Sequence, residues 1–90
     1  MPLRLKWSYT WPEVKADFHS HDEAGNPVGR IYKMISSPTD EYRWFWTAYG
    51  QIPGSRRSVN RNGHALSKKA AAEAVEAAWF EAIEDLARER

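Results

Sequence analysis

Leu3, Leu5, Trp7, Tyr9 and Trp11 alternate with Arg4, Lys6, Ser8 and Thr10. A period of two sends successive side chains to opposite faces of an extended chain, so the alternation predicts a strand over 3–11 with its five apolar side chains on one face. Pro12 ends it, because proline has no N–H to give a sheet. A second strand is predicted over 14–21. The following residues, Asp22, Glu23, Ala24, Gly25, Asn26 and Pro27, are turn formers that reverse the chain into a third strand over 28–35. Ser36, Ser37, Pro38, Thr39 and Asp40 make the next turn. The fourth strand, over 42–49, is rich enough in rings to be central. Tyr42, Trp44, Trp46 and Ala48 share one of its faces and Arg43, Phe45, Thr47 and Tyr49 the other.

Residues 50–66 read as a loop, with brief edge pairing at 57–60. Beyond it the period changes. Val75, Trp79, Ile83 and Leu86 are spaced by four, four and three, which places them on one side of a helix over 67–87, and the alanines between them let that helix lie close to a sheet. Ser67 is its N-cap, a hydroxyl able to accept from the free amides of the first turn. The expected fold is α+β: an antiparallel sheet of three to four strands with one C-terminal helix packed on one face, the whole chain 1–90 being a single domain. Trp79 is the expected keystone.

Composition sharpens this picture. Ninety residues supply apolar material for one core, and twelve aromatics, five of them Trp, supply much of its area because each ring buries roughly 150–250 Å². No cysteine is present, which excludes a disulfide framework and a thiolate zinc site and fits a reducing compartment. The charged positions in 1–11 and the absence of a long apolar run predict neither a signal peptide nor a membrane span, and the expected location is cytoplasmic.

The net charge of +1 is the sum of unlike segments, −1 over 1–41, +6 over 42–72 and −4 over 73–90. The middle segment holds Arg43, Arg56, Arg57, Arg61, Lys68 and Lys69 and no acid. Lys68 and Lys69 fall in the first turn of the helix, where the macrodipole disfavours cations by up to about 1 kcal/mol each. An anionic partner resolves that conflict, with Arg56, Arg57, Arg61, Lys68 and Lys69 converging on phosphate beside uncapped amides. The alternative is solvated lysines, helped by a Lys69 to Glu73 pair.

Gly63, His64, Ala65, Leu66, Ser67, Lys68, Lys69, Ala70 and Ala71, with the alanine-rich helix behind them, resemble the closing motif of double-stranded RNA-binding domains. That resemblance implies phosphate contacts for Lys68 and Lys69. A strand meander before an alanine-rich helix also looks like the three-stranded DNA-binding domains of the AP2 and integrase N-terminal type, which implies a groove contact for Arg43. The elements Val28-Gly29-Arg30-Ile31-Tyr32, Trp44-Phe45-Trp46-Thr47 and Arg61-Asn62-Gly63-His64-Ala65 resemble a family of small uncharacterised bacterial proteins, a likeness that implies no activity.

Other chemistry is thinly represented. Trp44 and Trp46, or Phe45 and Tyr49, either stack unpaired bases or fill the core, and the face that the helix leaves open decides which. Asp17, His19 and His21 share one strand face, with His64 a further imidazole, yet their spacing matches no metal-ligand signature and no metal is expected. None of Ser20, Ser36, Ser37, Ser55, Ser58 and Ser67 lies in a nucleophile elbow, and Glu84 and Asp85 read as a solvated helix face. The expectation is a non-enzymatic binding module without cofactor, taking nucleic acid or another polyanion at 56–69. The rival expectation is a protein interaction module, in which the rings of 3–11 or of the uncovered sheet face dock a partner or a second copy.

Overall fold

The computed structural model describes residues 3–34 and 44–88, with only the backbone described at Val14 and Lys15. Ile35, the turn at 36–40, Tyr42 and Arg43, for which a groove contact was expected, lie outside the described residues. Five strands and one helix follow in order: β1 (Lys6–Trp11), β2 (Val14–His21), β3 (Pro27–Lys33), β4 (Trp44–Ala48), β5 (Arg61–Ala65) and α1 (Lys68–Arg88). The sheet is an antiparallel meander with each strand beside its sequence neighbour, so β1 and β5 are its edges. Its class is α+β.

Two sequence expectations need correction. The sheet has five strands rather than three to four, because the segment read as a loop over 50–66 contains β5. Arg61-Asn62-Gly63-His64-Ala65 has no β-branched or aromatic residue, and β5 is extended because the edge of β4 offers it partners from Trp44↔Ala65 to Ala48↔Arg61. The pairing expected at 57–60 is a bridge between Gln51 and Ser58, with the Val59 N–H donating to the Gly50 carbonyl at 2.9 Å. The first strand begins at Lys6 rather than Leu3.

Local chemistry accounts for the turns and the helix start. In the β2–β3 hairpin, Asp22 Oδ1 accepts from the Ala24 and Asn26 amides, both at 2.9 Å, and Gly25 takes φ 86°, a left-handed conformation that suits glycine. Ser67 Oγ accepts from the Ala70 amide at 3.1 Å, the N-cap geometry.

The helix crosses β3, β4 and β5 and makes no comparable approach to β1 or β2. Val75 and Trp79 are fully buried beneath it together with Ala71, Ala72 and Ala78, while Ile83 and Leu86 pack at the margin. Close approach is built into the sheet. A Cβ on Gly29 would stand 2.7 Å from Val75 Cγ1, and one on Gly50 would stand 2.9 Å from the Trp79 ring and 2.4 Å from the Pro27 carbonyl oxygen. Val28, Ile31, Ala48, Ile52, Val59 and Ala65 complete the core.

One buried group was invisible in the helical stripe. Glu76 is only 6% exposed, and its carboxylate accepts from the Arg4 and Leu5 backbone N–H groups at 2.7 and 3.0 Å and from the Trp7 indole N–H at 2.9 Å. Residues 3–5 are thereby tied to the helix instead of extending β1. Arg4 also places its guanidinium 3.9 Å from the centre of the Phe80 ring.

Candidate binding surface

Strand register assigns the faces. Residues opposite one another in an antiparallel pair point the same way, so Tyr9, Phe18, Ile31 and Trp46 share the helix side, and Asp17, Tyr32, Phe45 and His64 share the other. Trp44 and Trp46 therefore pack on the core, which removes them as base-stacking platforms. Phe45 remains on the open face, with its ring centre 5.1 Å from Tyr32 and 5.5 Å from His64.

The rest of that open face is internally satisfied. Both oxygens of the buried Asp17 accept from Arg30, Nε at 2.8 Å and Nη2 more closely still, and Arg30 lies 5.0 Å from the Tyr32 ring centre. His19 and His21 meet edge to face, and His19 Nδ1 is 3.4 Å from Thr10 Oγ1. Asp17 is thus engaged with Arg30 rather than open to a metal, and among the described residues no group of three His, Asp or Glu side chains is placed to hold one.

The hydrogen bonds from Arg30, and secondarily from Thr10, hold the Asp17 carboxyl below its usual value of 3.8 against the opposing effect of burial. A carboxyl whose folded pKa is depressed contributes stability above its unfolded pKa and loses it as pH falls through the folded value. The stability difference between the native protein and Asp17→Asn, fully present at neutral pH, should therefore begin to shrink as pH falls past roughly 4 and vanish only once pH drops below the lower folded value. Urea unfolding midpoints of both proteins at neutral and acid pH measure it; a constant gap would contradict the assignment.

The five cations expected at one site are divided by the fold. Arg61 leaves from the Ala48 end of β4 and pairs with Glu81 at 3.4 Å, which lies about 20 Å along the helix from Lys68. Arg56 and Arg57 belong to the β4–β5 connection at that same end, where the Arg57 amide donates to Ser55 Oγ and its carbonyl accepts from Ile52. Lys68 and Lys69 lie beyond the opposite end, after Ala65. The strands hold the two groups apart by roughly 14 Å or more.

Lys68 and Lys69 have different company. They border a cleft of about 620 Å³ whose other walls are Leu3, Trp7, Phe18, Ile31 and Ala72. It exists because α1 lies over β3 to β5, and beside its first turn the Trp7 and Phe18 side chains of β1 and β2 are only partly covered. Lys68 Nζ stands 5.1 Å from the Phe18 ring centre, and Tyr9 stacks on the outer side of Phe18 at 4.9 Å. The first turn of the helix contains no acid. Sequence reading missed this cleft because its walls come from four separate elements, although the alternation in 3–11 already marked the Trp7 and Tyr9 face as apolar.

Among the described residues no helix is long and apolar enough to cross a membrane. Comparison with known proteins found no matching family model, no matching curated protein and no matching solved structure.

Proposed function

We propose that this chain is a non-enzymatic binding module that takes an unpaired nucleic acid strand at the cleft beside the first turn of α1. The observation that carries this reading is the placement of two ammonium groups, Lys68 and Lys69, on the border of a cleft walled by the Trp7 and Phe18 rings. An unpaired strand presents flat bases and regularly spaced phosphates, and rings beside cations suit both at once. Base–ring stacking contributes about 1–3 kcal/mol per base and tolerates any sequence. The phosphate would meet the lysines and the positive end of the helix dipole, relieving the electrostatic conflict of cations in a first turn. Arg56, Arg57 and Arg61 are not part of this site.

Anisotropy of a fluorescein-labelled single-stranded oligonucleotide tests the reading. Affinity should fall with rising salt, and Lys68→Glu combined with Lys69→Glu should make the log–log salt slope shallower by about 1.4, two phosphate contacts at about 0.7 each. Arg56→Glu with Arg57→Glu should leave the Lys68 and Lys69 contribution intact. Binding that ignores the lysine pair, or no binding at low salt, would refute the proposal.

A further inference from the structure

The rings that wall the cleft do not end at its mouth. Trp7, Tyr9 and Trp11 follow one another at alternate positions on the helix-side face of β1, and Tyr9 is 50% and Trp11 54% exposed. Tyr9 rests on Phe18, itself a wall of the cleft, and Trp11 is the last residue of β1, before the turn at Pro12 and Glu13. A row of large rings that begins inside a cleft and continues half in water is the kind of apolar surface that marks a binding site.

Strand register puts this row beside cations. Ala65 opposes Trp44, and Trp44 opposes Lys33. The end of the sheet from which α1 starts is therefore the Lys33 end of β3, and through the pairs Asp17↔Tyr32 and Tyr9↔Phe18 it is also the Trp11 end of β1. Lys33 is exposed and shares the helix side with Ile31, two residues before it and a wall of the cleft. Lys33, Lys68 and Lys69 thus belong to the same end of the sheet as the two exposed rings.

We infer that the unpaired nucleic acid strand leaves the cleft along β1, with Tyr9 and Trp11 as further base platforms and Lys33 as a third phosphate contact. The inference rests on the reading of the cleft as a nucleic acid site and adds three residues to it. Alternate residues of a strand stand about 6.8 Å apart, a step that one nucleotide of an unstacked chain can span, so Trp7, Tyr9 and Trp11 offer one ring per base. The phosphates then follow the side of the row that faces β3 and the start of α1, where the ammonium groups are. Continuity with the cleft and cations along one side select an occupant that carries both flat rings and negative charge at a regular spacing. Glu13, in the turn beyond Trp11, ends the track there by repelling a further phosphate.

Truncation of Trp11 tests it. The side chain is more than half exposed beside a turn, so Trp11→Ala preserves the fold, which circular dichroism checks. In anisotropy measurements with a fluorescein-labelled thymidine octanucleotide, Trp11→Ala should weaken binding by about five- to 150-fold, the equivalent of one lost stacking contact, and Trp11→Phe should keep most of the native affinity. A labelled thymidine dinucleotide, short enough to stay within the cleft and titrated to millimolar concentration, should bind the native chain and Trp11→Ala alike. Lys33→Glu should make the log–log salt slope of the octanucleotide shallower by about 0.7. Native-like octanucleotide affinity in Trp11→Ala, an equal loss for the dinucleotide, or an unchanged slope in Lys33→Glu would overturn the extension and leave the cleft reading standing. An octanucleotide that the native chain does not bind at low salt would overturn both.

Discussion

Trp79→Ala should remove about 3–5 kcal/mol of folding stability, the range observed when a large buried ring is cut to a methyl group. Trp79 is 1% exposed and is the largest fully buried side chain of the described residues. Its ring lies against the backbone at Gly50, where even an added Cβ would come within 2.9 Å, so the space left by truncation is bounded by main chain that cannot readily collapse into it. Domains of this size hold only about 5–15 kcal/mol in total, and the melting midpoint should fall by at least about 12 °C. Leu66→Ala, at a side chain that is 65% exposed, is the matched control and should change the midpoint little. Thermal unfolding followed by circular dichroism reads both, and an unchanged midpoint in Trp79→Ala would contradict the helix-on-sheet packing.

Glu76→Ala should also be destabilising for a different reason, with an expected loss of about 1–3 kcal/mol. A carboxylate removed from water in the helix–sheet layer is tolerated here because three N–H donors surround it. Deleting it leaves the Arg4 and Leu5 amides and the Trp7 indole without their acceptor, and because these donors are part-buried, water replaces some of what is lost and the total stays near the cost of one unsatisfied buried donor. Glu76→Gln should fall between, since it keeps one acceptor oxygen but turns an amide N–H₂ toward donors. The signature is local: hydrogen exchange at Arg4 and Leu5 should accelerate in Glu76→Gln more than exchange in β3 and β4. Uniform acceleration across the sheet would mean that the carboxylate does not specifically tether residues 3–5. Because Leu3 and Trp7 wall the cleft, the same variant should weaken oligonucleotide binding while Lys68 and Lys69 stay in place.

These two residues differ in how far the sequence disclosed them. Trp79 stood on the stripe of Val75, Ile83 and Leu86, and its burial followed from spacing alone. Glu76 sits beside Val75 in a helix with acids at 73, 81, 84 and 85, and nothing local separates it from those solvated neighbours. What distinguishes it is the arrival of Arg4 and Leu5, more than seventy residues away in the chain.

The candidate site divides along the same line. Lys68 and Lys69 were legible as cations in a first turn, and the alternation in 3–11 was legible as an apolar face. Their meeting around Phe18 and Ile31 was not, nor was the removal of Arg61 to Glu81 or of Arg56 and Arg57 to the other end of the sheet. Charge counted along a segment took no account of the reversal at β5, which carries the chain the length of a strand between Arg61 and Ala65.

By itself the sequence determined the period of each regular element, the Ser67 cap, the β2–β3 turn and the inward stripe of α1, because these depend on residues within a turn or two of one another. Tertiary structure alone decided that Arg61–Ala65 is a strand, that Glu76 is an anchor, and that the β1–β2 flank is left only partly covered beside two lysines. Each of those outcomes depends on which distant backbone or side chain supplies the partner, and pairing at long range is set by how the layers pack rather than by any local pattern.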